Sequence, residues 1–321
     1  MPDTLTPYST ACDAYFMAVF MVTILSLRQL VHAAPTAVVK HNQASLGNIR
    51  ASGNLNPYPD KPRITFRPDG TFKITVFSDL HFGEGPETIW GPEQDSNSTR
   101  LMRKVLPEEK PDFAVINGDL ITGEIPFASS HGNHDNQVNI THLEEIIRER
   151  QVSSFSYTRS APPGVGGEGG PGNYWVPVYA NEEGQHPVLI LWFFDSRGGF
   201  SPGENSIAVP DWVDSSTEWG PAESRGALAF VHYSTVSLLE LQLFPLTLSK
   251  DTLGQGSTQA TTQDSDSGKD EPFWNALNRY VKNLHAVISG HDHGNEWCSR
   301  ETAKNVIFCF DKHSGYRCMR D

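Results

Sequence analysis

Short runs of apolar residues recur along the chain and are typical of buried β-strands. The clearest runs lie at residues 72–77, 113–116, 174–179, 188–194, 228–231 and 286–289. Helical signals lie between some of them. Residues 98–106 are expected to be helical, and a capping box between Thr141 and Glu144 predicts a helix that continues to Arg150. A third helix is predicted from Pro272 to about Leu284, because proline is tolerated in a first helical turn. The pattern predicts an α/β fold.

The segments outside this pattern predict the domain organisation. Residues 14–27 are apolar but short for a membrane span, so we expect residues 1–33 to be a signal peptide. No Lys or Arg precedes that run, which leaves an uncleaved membrane anchor or a wrongly assigned start as alternatives. Residues 34–60 are expected to be a polar linker, and residues 61–321 to be one domain with a disordered insertion near 249–271. The protein is therefore predicted to be secreted or in the secretory pathway, with no stable membrane span.

The charge of the chain limits its partners. The formal net charge is -13, from 25 basic and 38 acidic residues. This balance argues against non-specific nucleic-acid binding, which needs a basic surface. It does not argue against a negatively charged substrate, because bound cations would reverse the sign of the field within one pocket.

The four cysteines do not form a zinc-binding pattern, because no CxxC pair is present. Cys298 and Cys309 flank a short turn and could form a disulfide in an oxidising compartment. Free thiols remain an equally open interpretation. Cys318 would have no partner in the first case.

Polar side chains with metal-binding chemistry follow four of the predicted strands, and another cluster lies in a loop at residues 132–135. Open α/β sheets bind their ligands at the carboxyl ends of the strands. Carboxylate, amide and imidazole groups without a thiolate suit Mn, Fe or Zn. The expected metal ligands are Asp79, His81, Asp119, Asn133, His232, His291 and His293.

Five short blocks, in this order along the chain, resemble the calcineurin-like metallophosphoesterase superfamily. They lie at residues 79–81, 118–119, 132–135, 231–232 and 290–293. Residues 172–179 and 193–199 also resemble a branch of fungi and plants that is related to the purple acid phosphatases. The resemblance implies a sandwich of two mixed β-sheets flanked by helices.

The resemblance also implies a mechanism, in which a bridging hydroxide on two divalent metal ions hydrolyses a phosphate ester. Asp119 would bridge both ions, His134 would act as general acid, and Asp135 would orient it. The first ion would be held by Asp79, His81 and His293, and the second by Asn133, His232 and His291. Thr122 stands where purple acid phosphatases carry a tyrosine ligand, so a purple centre is not expected. A small molecule or phosphoprotein would be the substrate of a monomeric enzyme.

Two departures from the family pattern qualify this prediction. Only thirteen residues separate Asp119 from Asn133, where relatives have a helix and a further strand. Residues 125–130 are too few for a full crossover unit. Relatives also continue with more strands beyond residues 311–316. We therefore expect a fold that lacks one helix–strand unit and the C-terminal strands. The alternative function is a catalytically impaired or non-catalytic binding protein on a truncated fold.

Overall fold

The computed structural model describes about half of the chain's length as regular elements and the turns between them. The described residues are 18–23, 57–83, 86–118, 127–132, 135, 141–161, 171–195, 225–232, 253–255, 270–291, 296–301, 303–311 and 314–315. Within these ranges, no helix has the length and apolar character that a membrane crossing requires.

Three helices and twelve strands are described. The helices are α1 (Trp90–Glu109), α2 (His142–Val152) and α3 (Asp270–Tyr280). The first strands are β1 (Ala18–Thr23), β2 (Ile64–Thr65), β3 (Thr71–Phe77), β4 (Phe113–Asn117), β5 (Phe127–Ser130) and β6 (Tyr174–Tyr179). The remaining strands are β7 (Pro187–Phe194), β8 (Gly226–Val231), β9 (Leu253–Gln255), β10 (Leu284–Ser289), β11 (Glu296–Glu301) and β12 (Val306–Phe310).

The strands form two sheets. Sheet A has four strands in the order β1-β3-β4-β5, and sheet B has eight in the order β2-β6-β7-β8-β10-β12-β11-β9. In sheet A, β3, β4 and β5 are parallel, while β1 pairs antiparallel with β3. In sheet B, β7, β8, β10 and β12 are parallel, and antiparallel strands flank them. Both sheets are therefore mixed.

Side chains that alternate between the two faces of each sheet form the core. Phe72 and Val115 of sheet A pack in one cluster with Leu191 and Phe230 of sheet B, and all four side chains are fully buried. The next residues along these strands point to the opposite faces, as the two-residue period of a strand requires. On those faces α1 packs against sheet A through Met102, and α3 packs against sheet B. The predicted α/β sandwich of two mixed sheets flanked by helices is confirmed.

The predicted strands are confirmed to within two residues at each end, whereas the first helix differs from its prediction at both ends and the third at its C-terminal end. The first helix begins at Trp90 instead of residue 98, because Pro92 lies in its first turn, where no backbone hydrogen-bond donor is needed. The third helix ends at Tyr280, before the predicted end at Leu284. Asn283 has a left-handed φ of 51° in the following turn, and Leu284 already begins β10. The capping box between Thr141 and Glu144 is confirmed.

Residues 125–130, which are too few for a full crossover unit, nevertheless include a strand. Phe127–Ser130 forms β5 and pairs in parallel with β4, from Ala114 opposite Phe127 to Asn117 opposite Ser130. The connection between the two strands has only nine residues, 118–126, and residues 119–126 lie outside the described part of the chain. Pairing with β4 therefore stabilises this strand, even though the connection is shorter than a usual crossover.

Three described features fall within segments that the sequence assigned to other roles. β1 lies inside the predicted signal peptide or anchor and pairs along its whole length with β3. Tyr58, from the predicted linker, is buried in the core and donates a hydrogen bond to the main-chain oxygen of Trp175. β9 lies inside the predicted insertion and pairs with β11. Residues 249–252 and 256–269 of that insertion are outside the described residues, and its last two residues begin α3.

A disulfide joins the two cysteines that flank the predicted turn. Cys298 in β11 and Cys309 in β12 are opposite each other in the antiparallel pair, and their sulfur atoms are bonded. The disulfide alternative is therefore the one that the structure adopts. Cys12 and Cys318 lie outside the described residues.

Candidate metal centre

Four of the predicted ligands meet where three strands of the two sheets end. Asp79 and His81 follow β3, His232 follows β8, and His291 follows β10. The Oδ1 atom of Asp79 lies 3.6 Å from Nε2 of His232 and 4.0 Å from Nε2 of His81. The rings of His232 and His291 are 5.5 Å apart between centroids. Residues from both sheets thus converge on one carboxylate.

His232 is held in the orientation of a metal ligand. Its side chain is fully buried, and its Nδ1 lies 2.8 Å from the main-chain oxygen of Asn117. Because a carbonyl only accepts, Nδ1 carries the hydrogen of this bond, and in the neutral imidazole the lone pair is then on Nε2. That buried Nε2 has no hydrogen-bond partner among the described residues. Histidine ligands commonly donate their second ring N–H to a carbonyl, so the arrangement fits a divalent cation at Nε2.

The backbone at these ligands is in a rare conformation. Asp79, His81 and His291 have φ angles of 52°, 48° and 68°, in the left-handed region that non-glycine residues rarely adopt. The main-chain N–H of His291 donates to Oδ2 of Asp79 at 2.9 Å. Such conformations cost free energy and concentrate at functional sites, where the surrounding structure maintains them.

Three glycines leave room for the ligands. A Cβ at Gly118 would overlap the ring of His232, and one at Gly132 would lie 2.6 Å from its Cδ2. A Cβ at Gly290 would overlap Ser78 and would lie 2.7 Å from Oδ2 of Asp79. The presence of glycine at these three positions therefore has a steric reason, because a side chain there would displace a predicted ligand.

A buried acidic group lies behind the loop at residues 132–135. Oδ2 of Asp135 accepts a hydrogen bond of 2.5 Å from the main-chain N–H of Gly132. On α2, Glu149 is buried and accepts hydrogen bonds from the hydroxyls of Ser156 and Thr158. Burial, and then the negative charges of Asp135 and Glu149, raise the pKa of Glu145 to about 9. Burial also raises the pKa of Glu149.

The structure describes only part of the predicted site. Asp79, His81, His232, His291 and Asp135 are described, whereas Asp119, Asn133, His134 and His293 lie outside the described residues. Within the described ranges, no three His, Cys, Asp or Glu side chains form a group that could hold a metal ion. The described residues do not by themselves make a metal site, and the predicted bridging residue and general acid are not among them.

Three buried residues at the site were missed by the sequence analysis: Ser78, Asn117 and Asp311. The hydroxyl of Ser78 donates to Oδ2 of Asp79 and lies 3.0 Å from the main-chain oxygen of Asn117. Burial, and then the charge of Asp79, raise the pKa of Asp311 well above its usual range. Asp311 directly follows the apolar strand β12, so the strand-end signal that identified Asp79 could also have identified it.

Comparison with known proteins agrees with this geometry. The family model of the calcineurin-like phosphoesterases matches residues 72–295, which include every predicted ligand. The chain belongs to the calcineurin-like phosphoesterase family. The match extends from β3, which precedes Asp79, to the loop after β10.

Two relatives within the family come from a plant and a yeast. The chain is 28% identical over 311 residues to the probable inactive purple acid phosphatase 28 of Arabidopsis thaliana, covering 82% of this chain and 75% of that protein. It is 25% identical over 297 residues to the phosphatase DCR2 of Saccharomyces cerevisiae, covering 77% of this chain and 49% of that protein. The chain thus spans about half the length of the yeast phosphatase. The predicted relationship to a plant and fungal branch is confirmed.

Proposed function

We propose that this calcineurin-like phosphoesterase is a hydrolase of phosphate esters that works with two divalent metal ions. The convergence of Asp79, His81, His232 and His291 at the ends of strands from both sheets supports this most strongly, because family membership alone leaves activity open. When bound, the ions would supply a water acidified enough to attack phosphorus and would neutralise the transferring phosphoryl group.

The residues of the chain would have separate roles in this reaction. Asp79, His81, His232 and His291 would hold the ions with Asp119, Asn133 and His293. His134 would donate a proton to the leaving oxygen, and Asp135 would hold its orientation. The hydrogen bond from Gly132 to Asp135 restrains the carboxylate at the start of this loop. The left-handed backbones of Asp79 and His291 keep their ligand atoms in place before the substrate arrives.

Metal content and hydrolysis test this proposal together. The purified chain should bind two Mn²⁺ ions and hydrolyse p-nitrophenyl phosphate, and His232→Gln should lose both properties. His285→Gln is the matched control, since His285 lies at the opposite end of β10 and its Nδ1 faces the main-chain N–H of Ala227. A wild-type protein that binds both ions but hydrolyses no ester at any pH would favour the alternative of a non-catalytic binding protein. The name of the plant relative motivates that alternative.

We also propose that the protein matures in the secretory pathway. The disulfide between Cys298 and Cys309 supports this, because stable disulfides require an oxidising compartment in most organisms. The apolar run at residues 14–27 is the predicted targeting signal. N-terminal sequencing of the secreted protein tests it: a mature terminus near residue 34 supports a cleaved signal peptide. An N-terminus that retains Ala18–Thr23 would instead support a retained strand β1.

A further inference from the structure

Asn117 connects the ends of several strands at the candidate metal centre. It is the last residue of β4 and is fully buried. Its Nδ2 donates hydrogen bonds to the main-chain oxygen of Ile288 and to Oδ2 of Asp311, each at 3.3 Å. Its Oδ1 accepts from the hydroxyl of Ser130 at 2.7 Å. One side-chain amide therefore joins the end of β5 in sheet A to the ends of β10 and β12 in sheet B.

The main-chain oxygen of the same residue contacts groups that orient two predicted ligands. It accepts the hydrogen bond from Nδ1 of His232 at 2.8 Å and lies 3.0 Å from the hydroxyl oxygen of Ser78. That hydroxyl also contacts Oδ2 of Asp79. A shift of this oxygen would therefore rotate the imidazole of His232 and change the hydrogen bonding of the Asp79 carboxylate.

We propose that Asn117 is a positioning residue of the metal centre. Its side-chain amide fixes the carbonyl oxygen that orients His232 and, through Ser78, Asp79. The inference rests on the proposed function, because it assigns Asn117 to the same metal centre. The amide donates to the Asp311 carboxyl group and accepts from the Ser130 hydroxyl, and an alanine can do neither. Removal of such a partner of a metal ligand typically weakens metal binding by about 10–100-fold.

A matched pair of substitutions separates positioning from general destabilisation. Asn117→Ala removes the amide and keeps the main-chain oxygen. Asn173→Ala removes an equally buried amide, whose Oδ1 accepts from the main-chain N–H of Asp195 at 3.1 Å. Both variants should lower the Tm of the metal-free protein. Only Asn117→Ala should lower the Mn²⁺ affinity, by about 10–100-fold in a calorimetric titration.

An exchange of the side chains of Asn117 and Asp311 tests the same point, because the double variant can keep a hydrogen bond between the two positions. Asn117→Asp places a third carboxylate beside Asp79 and Asp311, and should lower the Mn²⁺ affinity and the Tm. Combining it with Asp311→Asn restores an amide–carboxylate pair in the reverse direction. The double variant should regain at least about tenfold of the lost affinity. Recovery of the Tm without recovery of the affinity would show a purely structural role and overturn the inference.

The outcomes distinguish this inference from the proposed function. A wild-type protein that binds no Mn²⁺ would overturn both. A wild-type protein that binds two Mn²⁺ ions, together with an Asn117→Ala variant of equal affinity, would overturn only the positioning role. Equal loss of affinity in Asn173→Ala would also overturn it. Should Asn117→Ala fail to fold, the exchanged pair decides the question by its affinity relative to the single Asn117→Asp variant.

Discussion

Gly118 is the position where the smallest change should most affect the metal centre. It follows β4 with a φ of 93°, and it faces the ring of His232. A Cβ there would overlap Nδ1 of that ring and would lie 2.6 Å from its Cε1, whereas ordinary contacts begin at 3.4 Å, so the ring would have to move by more than the 0.8 Å that the Cε1 contact alone requires. Gly118→Ala should therefore break the hydrogen bond between His232 and the oxygen of Asn117.

Two contributions set the size of this effect. An alanine with a left-handed φ costs about 1–2 kcal/mol of folding free energy. Overpacking against His232 adds about 1–3 kcal/mol. Gly70→Ala isolates the first contribution, because Gly70 has a φ of 81° and an added Cβ there would meet no atom within 4 Å. Gly118→Ala should thus be destabilised by more than the control, and a displacement approaching 1 Å should reduce hydrolysis by about 100-fold.

Urea denaturation of the metal-free proteins and calorimetric Mn²⁺ titration would measure the two effects. Gly70→Ala should lose stability but keep the wild-type metal affinity. Gly118→Ala should lose both. A wild-type Mn²⁺ affinity in Gly118→Ala would refute the reasoning. In that case either His232 would not bind the metal, or its ring would move without losing the metal.

Three further predictions concern other parts of the fold. The pKa of Glu145 is raised from 4.5 to about 9, so the stability that the protonated group contributes is fully present below pH about 4.5 and is lost as the pH rises toward 9. The Tm of the metal-free protein should therefore decrease across that range, and Glu145→Gln should make this decrease smaller. An unchanged pH slope would contradict this. Replacing Cys298 and Cys309 with serine should cost about 3 kcal/mol in urea denaturation, and a reductant should destabilise the wild type equally. Thr141→Ala should cost about 1 kcal/mol by loss of the capping box, seen as a lower urea midpoint with unchanged Mn²⁺ affinity.

The parts of the site that the sequence predicted are those that depend on local pattern. Asp79, His232 and His291 each follow a short apolar strand, and the carboxyl ends of parallel strands meet at one edge. A strand is recognisable from a few residues, so both the strand and the residue after it could be assigned. The same rule applied to β12 would have added Asp311.

The rest of the site depends on contacts between distant residues. Asn117 bonds to Ile288 and Asp311, which are 171 and 194 residues away along the chain. Nothing in the local sequence distinguishes it from an asparagine in a surface turn. Glu145 and Glu149 are four residues apart, which is typical of a solvated helix face. Only the packing of α2 buries Glu149.

The short connection before β5 does not alter where the loop with Asn133 and His134 begins. Four residue pairs fix β5 against β4, and the last of these places Ser130 opposite Asn117. The hydroxyl of Ser130 also bonds to the side chain of Asn117, so the register is maintained by the side chains as well as by the strands. Gly132, two residues further on, already lies against His232. Strand β5 therefore places the start of the following loop at the site. The short connection before β5 affects only the residues that precede this strand.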